Sequence, residues 1–267
     1  MTFTIAEHFT CGKDSRGYSE DRIVISENHF GVLDGSRGPE GLGRETIGAI
    51  LDTAVEYLTS ISATARFEDV ASELDSITRV YKDRAGVIDF KRSGGFVFCL
   101  YSSHFNEIWR VGDCKFRNGG RVYSNMFKAE EICAAARSLI LKSKLNSGLT
   151  PEDIMKSVDY HHSIDDLLLH EASFLNAAND PFGIGAVIGD GTPTVFQERA
   201  EARPGRLVIT TDGYPKVLDT LKETEEELKA LLIKDPLCID ANQQCKGLAP
   251  GLVSFDDRSF VSADIQV

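Results

Sequence analysis

Glu20-Asp21-Arg22-Ile23-Val24-Ile25-Ser26-Glu27-Asn28-His29-Phe30-Gly31-Val32-Leu33-Asp34-Gly35 is two short apolar runs folded about a polar turn, with acidic residues at either end. The β-branched and aromatic content of 22–26 and 29–33 predicts strands, and the turn at Glu27-Asn28 predicts a hairpin between them. The same pairing of apolar run and carboxylate returns three more times along the chain. It reads Trp109-Arg110-Val111-Gly112-Asp113, Leu207-Val208-Ile209-Thr210-Thr211-Asp212-Gly213, and Ser254-Phe255-Asp256-Asp257 ahead of Arg-Ser-Phe-Val. A carboxylate at the end of a strand projects from the rim of its sheet, so strand ends that meet at one rim gather their acids.

Carboxylate oxygens are hard ligands, and a cluster of them without His or Cys favours Mg²⁺, Mn²⁺ or Ca²⁺ over Zn²⁺ or copper. Glycine after Asp34 and after Asp212 lets the backbone turn sharply, and the Gly35 carbonyl is a further oxygen donor. Any single Asp-Gly is a common turn. The ordered set of five carries the reading.

That set resembles the PPM, or type 2C, family of metal-dependent protein phosphatases, over roughly residue 10 to the C-terminus. Arg16-Gly-Tyr-Ser-Glu20-Asp21 has the spacing of the family's opening motif, and Val32-Leu33-Asp34-Gly35 matches its Asp-Gly motif after an apolar strand. Gly112-Asp113-Cys114-Lys115 is similar to the Gly-Asp-Ser-Arg motif, departing from it at Cys114 and Lys115. Thr211-Asp212-Gly213 and Asp256-Asp257 match the two closing motifs.

The resemblance implies hydrolysis of phosphoserine and phosphothreonine in proteins, with two Mn²⁺ or Mg²⁺ ions and a third, weaker position. By the same resemblance Asp34, Asp212 and Asp256 are direct ligands together with the Gly35 carbonyl, and Asp34 bridges the two ions. Glu20 and Asp21 ligate directly or through water, Asp113 serves the third position with Asp212, and Arg16 grips the phosphate. The expected partners are a phosphoprotein substrate and a cognate Ser/Thr kinase. Some relatives carry His after the Asp-Gly motif as a proton donor, where this chain has Ser36 followed by Arg37, which reads as a solvated loop arginine. Asp257 reads as a turn residue. The adjacent His161 and His162 point in different directions on a helix and do not read as ligands. Two alternatives stay open: an inactive pseudophosphatase serving as an interaction module, and a Ca²⁺-stabilised structural protein.

Composition is compatible with this reading. The chain has 267 residues, of which 42% are hydrophobic, and its net charge of −12 argues against a nucleic-acid footprint. No apolar run approaches membrane-spanning length, and the N-terminus lacks the pattern of a signal peptide, so a cytoplasmic protein with reduced cysteines and no membrane partner is expected. No linker is apparent, which predicts one domain over 1–267, with a helix-rich flap or insert at about 127–180.

Further strands are expected near 3–9, 95–102, 105–111, 115–123, 184–189, 194–198, 206–211 and 258–265. Helices are expected over 41–59, 67–84, 127–143, 151–177, 222–233 and 237–246. Hairpin-length connections imply antiparallel sheets, and amphipathic helices need sheet faces to cover. The fold class is therefore α+β with two stacked sheets flanked by helices, and the resemblance makes it a four-layer αββα sandwich.

Overall fold

The hairpin forms where the sequence predicts it, as two neighbouring strands of one sheet. The computed structural model describes residues 1–14 and 17–266. In chain order the strands are β1 (Thr2–Cys11), β2 (Asp21–Ile25), β3 (His29–Ser36), β4 (Gly95–Ser102), β5 (Glu107–Val111), β6 (Lys115–Asn118), β7 (Arg121–Tyr123), β8 (Glu198–Glu201), β9 (Gly205–Thr210) and β10 (Arg258–Gln266). The helices are α1 (Arg44–Ser60), α2 (Phe67–Arg84), α3 (Lys128–Asn146), α4 (Pro151–Met155), α5 (Asp159–His162), α6 (Asp165–Glu171) and α7 (Leu221–Lys234).

Among the described residues the strands make two five-stranded antiparallel sheets, ordered β1-β10-β9-β6-β7 and β2-β3-β4-β5-β8. Three apolar layers join four layers of structure. Ile47, Ile50, Leu51, Ala54 and Leu58 of α1 and Val70 and Leu74 of α2 pack on Leu33, Phe98, Leu100 and Trp109 of the second sheet. Phe30, Val32, Cys99 and Tyr101 face Leu207, Ile209, Val261 and Ala263 between the sheets. Leu228 and Leu232 of α7 cover Val208 and Phe260 on the far side. β3 and β4 are buried on both faces, so they read as continuous apolar runs rather than alternations. The result is the αββα sandwich.

Several expected elements differ. The stretch expected as one helix over 151–177 is broken into α4, α5, α6 and a 3₁₀ turn at Ala172–Phe174. Ile154 and Tyr160 both enter a core shared with Leu141, Leu237 and Ile239. Six positions apart they lie on different faces of a continuous helix, so the break lets both point the same way. The helix expected over 237–246 is absent. Asp235 accepts the backbone N–H groups of Ile239, Asp240 and Ala241, while Arg137 and Ser138 donate to the carbonyls of Leu237 and Ile239. Side chains thereby satisfy the backbone groups that a helical ladder would have used.

The strand expected over 115–123 is a hairpin, β6 and β7. Residues 184–189 make only isolated bridges, Phe96 with Val187 and Leu175 with Ile184. The strand expected over 194–198 is a 3₁₀ turn, Thr194–Phe196, leading into β8.

Candidate metal centre

Antiparallel register places Asp21 at the start of β2 directly opposite Asp34 near the end of β3. Like charges facing each other across a ladder destabilise it, and either a proton or a cation on this pair relieves the repulsion. Asp212 follows β9 and brings the first sheet to the same place. The Thr211 hydroxyl donates to Asp21 Oδ2 at 2.7 Å, and the Asp212 N–H donates to Asp34 Oδ2 at 3.3 Å. The Thr211 hydroxyl in turn accepts the Ser259 N–H at 2.8 Å, fixing the start of β10 behind Asp256 and Asp257. Asp113 sits where the chain crosses from β5 to β6, that is, from one sheet to the other. Strand ends of both sheets thus bring Asp21, Asp34, Asp113, Asp212 and Asp256 to one end of the sandwich.

The charge state of the cluster follows from this crowding. Burial first, and then Asp212, Asp21, Asp113 and Asp256, push the Asp34 carboxyl well above its ordinary range. Asp21 is raised by burial and by Asp257, Asp212 and Asp256, against the Thr211 hydrogen bond. Asp113 is pushed up to about 7 by burial and Asp212, and Asp212 is raised by burial and Asp256. Asp256 goes the other way: burial would raise it, but Lys246 and Lys13 hold it below the carboxylate range.

Buried carboxylates that raise one another against the pull of Lys115 and Lys246 are short of positive charge, and their all-oxygen chemistry suits Mn²⁺ or Mg²⁺. The donor set therefore fits the group the sequence calls for. Among the described residues, however, no three His, Cys, Asp or Glu side chains form a ready-made cage for an ion.

Two glycines are enforced by close approach. A Cβ on Gly35 would stand 2.4 Å from the Glu20 carbonyl oxygen, which Gly35 N–H contacts at 3.0 Å. A Cβ on Gly213 would stand 2.0 Å from the Asp257 carbonyl oxygen. Glu20 is buried, and its Oε1 lies 2.9 Å from Arg37 Nε, an ion pair without hydrogen-bond geometry. Arg37 is thus engaged with a site residue rather than simply solvated. Asp257 accepts the N–H of Lys13 and of Glu20, each at 2.7 Å, and so shapes the chain while its charge still bears on Asp21. Lys115, which stands where the family motif has Arg, donates to the carbonyls of Asp212 and Tyr214 at 3.2 and 2.8 Å and braces that turn. Arg16 lies outside the described residues.

Sequence reasoning missed four charged neighbours. Lys13 Nζ is 2.9 Å from Asp256 Oδ1, and Lys246 Nζ caps Oδ2. Glu130 of α3 is pushed up to about 8 by burial, Asp113 and Asp212, and Glu171 of α6 is raised by burial. Lys246 was hidden in an expected helix, and the glutamates in ordinary amphipathic patterns. None carries a local signal.

No family model matches the sequence, and no curated protein matches it. Solved structures do. Serine/threonine phosphatase Stp1 from Staphylococcus aureus is similar with a TM-score of 0.54 at 12% identity, covering 100% of this chain and 96% of that one. The Mycobacterium tuberculosis serine/threonine phosphatase PstP/Ppp gives 0.52 at 13% identity over 100% of both chains. The catalytic domain of PstP in complex with 2 manganese ions gives 0.50 at 14% identity over 98% of both. The chain has the fold of the PPM-type serine/threonine phosphatases.

Proposed function

We propose that this protein is a metal-dependent phosphatase acting on phosphoserine and phosphothreonine in proteins. The observation that carries the reading is the convergence of five acids, from strand ends of both sheets, at one end of a PPM-type sandwich. The fold alone is compatible with other roles, but mutually repelling buried carboxylates are costly to keep unless a cation uses them.

In this reading Asp34, Asp212 and Asp256, with the Gly35 carbonyl, would hold two Mn²⁺ or Mg²⁺ ions, with Glu20 and Asp21 completing the set. Asp113 with Asp212 holds a third, weaker position. Bound ions supply Lewis acidity and positive charge for attack of water on phosphorus. The chain's own part is orientation. Thr211 fixes Asp21, Asp257 fixes the backbone of Glu20, and Lys115 fixes the turn of Asp212. Arg16 is assigned to the phosphate oxygens, where a planar fork binds well. Partners are phosphoproteins, with a cognate Ser/Thr kinase supplying them, and one domain carries the activity in the cytoplasm. The pseudophosphatase alternative is left without support, because every expected ligand position holds an acid.

Hydrolysis of p-nitrophenyl phosphate and of a phosphothreonine peptide tests this, with Mn²⁺, with Mg²⁺ and with EDTA, beside Asp212→Asn. Turnover that needs a divalent ion and falls at least about 100-fold in the variant is expected. Wild-type turnover in EDTA, or in Asp212→Asn, overturns the reading.

A further inference from the structure

Among the described residues of the cluster, Asp256 has each of its carboxylate oxygens matched by an ammonium group. Its Oδ1 accepts from Lys13 Nζ at 2.9 Å and from the Asp257 N–H at 2.9 Å, and its Oδ2 accepts from Lys246 Nζ. A carboxylate with both oxygens held by ammonium groups is a poor ligand until one of them leaves. The two lysines differ in their freedom to do so. Lys13 is 24% exposed and is pinned through its backbone, its N–H to Asp257 and its carbonyl to the Val253 N–H at 2.8 Å. Lys246 is 56% exposed, at the mouth of the cluster.

The backbone around Lys246 is anchored on both sides, by Cys245 Sγ against the Glu130 carbonyl at 3.7 Å and by the Leu248 N–H to the Pro236 carbonyl at 2.8 Å. Release of its ammonium therefore needs only rotation of a four-carbon stem, not movement of the loop. From its position the ammonium acts on Asp212, Asp34 and Asp113 within the cluster and on Glu130 and Glu171 beside it. Divalent ions on the acids remove that attraction. The strongest anion then left at the mouth is the phosphate group of an incoming substrate.

We propose that Lys246 is an exchangeable latch. It holds Asp256 Oδ2, yields that oxygen to a divalent ion, and then contacts the substrate phosphate as a point charge. The proposal rests on the phosphatase reading for its metal and its phosphate, but its test is independent of turnover.

Calorimetric titration of the full chain with Mn²⁺, and then with inorganic phosphate at saturating Mn²⁺, compares wild type with Lys246→Met, Lys246→Gln and Lys246→Arg. Losing a partly exposed charge-assisted hydrogen bond is expected to tighten Mn²⁺ binding about tenfold in Lys246→Met and Lys246→Gln and to weaken phosphate binding about fivefold. Lys246→Arg keeps the charge and is expected to tighten Mn²⁺ binding less than either neutral variant and to bind phosphate at least as well as wild type. Unchanged Mn²⁺ affinity in both neutral variants overturns the latch, as does unchanged phosphate affinity, or an arginine variant that behaves like them. Should the exchange appear without turnover in any metal, only the phosphatase reading falls. If no variant and no wild type binds Mn²⁺, both fall together.

Discussion

Asp257 takes one backbone N–H on each carboxylate oxygen, from Lys13 and from Glu20, and so fixes the two ends of the segment between them. Asp257→Ala leaves both donors without a partner, and a loss of about 3 kcal/mol in denaturant unfolding is expected. Gly213→Ala drives a Cβ to 2.0 Å from the Asp257 carbonyl oxygen, so a loss of more than about 2 kcal/mol is expected in the same assay. A wild-type midpoint for Gly213→Ala would show that the turn yields.

His29 has a different consequence. It is fully buried beside Trp109, neither ring nitrogen has a hydrogen-bond partner among the described residues, and burial pushes its pKa down to about 4. The unfolded chain binds a proton near pH 6.5 and the folded one only near 4, so the unfolded state takes up more protons in between. Its stabilising share is complete above about pH 6.5 and is lost progressively as pH falls toward 4, by up to about 3 kcal/mol. The unfolding free energy of wild type minus that of His29→Phe, followed from pH 7.5 to 4, should fall by that amount; a flat difference would rule this out.

At the scale of elements, caps and side-chain ties decide what pattern alone leaves open. α7 begins at Thr220, whose hydroxyl accepts the Glu223 N–H at 3.3 Å. Thr220→Ala is expected to cost about 1 kcal/mol in unfolding free energy, measured by denaturant melts. The stretch after residue 184 is held from outside rather than by a ladder. Asp75 of α2 accepts the Gly189 N–H at 3.0 Å and the Thr192 N–H and hydroxyl, both at 2.7 Å. The run itself is met piecemeal, with the Ala186 N–H on Asn176 Oδ1 at 3.0 Å and the Val187 N–H on the Phe96 carbonyl at 2.9 Å, so it forms no continuous ladder.

Across the whole molecule the net charge is −12, and within it buried acids crowd together where strand ends meet. Divalent ions that bind only the folded chain stabilise it by mass action, about 2.7 kcal/mol at one hundred times Kd. Mn²⁺ is therefore expected to raise Tm and EDTA to reverse the rise, with Asp34→Asn losing most of it. An equal rise in Asp34→Asn would place the ion elsewhere. Among the described residues no helix is long and apolar enough to cross a membrane.

The sequence by itself determined the hairpin of β2 and β3, the span of α2 to the residue, and the sheet-and-helix class, because apolar periodicity and turn residues act locally. It also named the acids, since each sits at the end of its own strand. Only the tertiary structure decided that Asp21 opposes Asp34, that Thr211 ties one sheet to the other, and that Asp257 serves the backbone. It alone brought Lys13, Lys246, Glu130 and Glu171 to the cluster and replaced an expected helix with side-chain caps from Asp235, Arg137 and Ser138. Register, partner choice and the neighbourhood of a charge are set by contacts between residues far apart in the chain, and no local pattern encodes those distances.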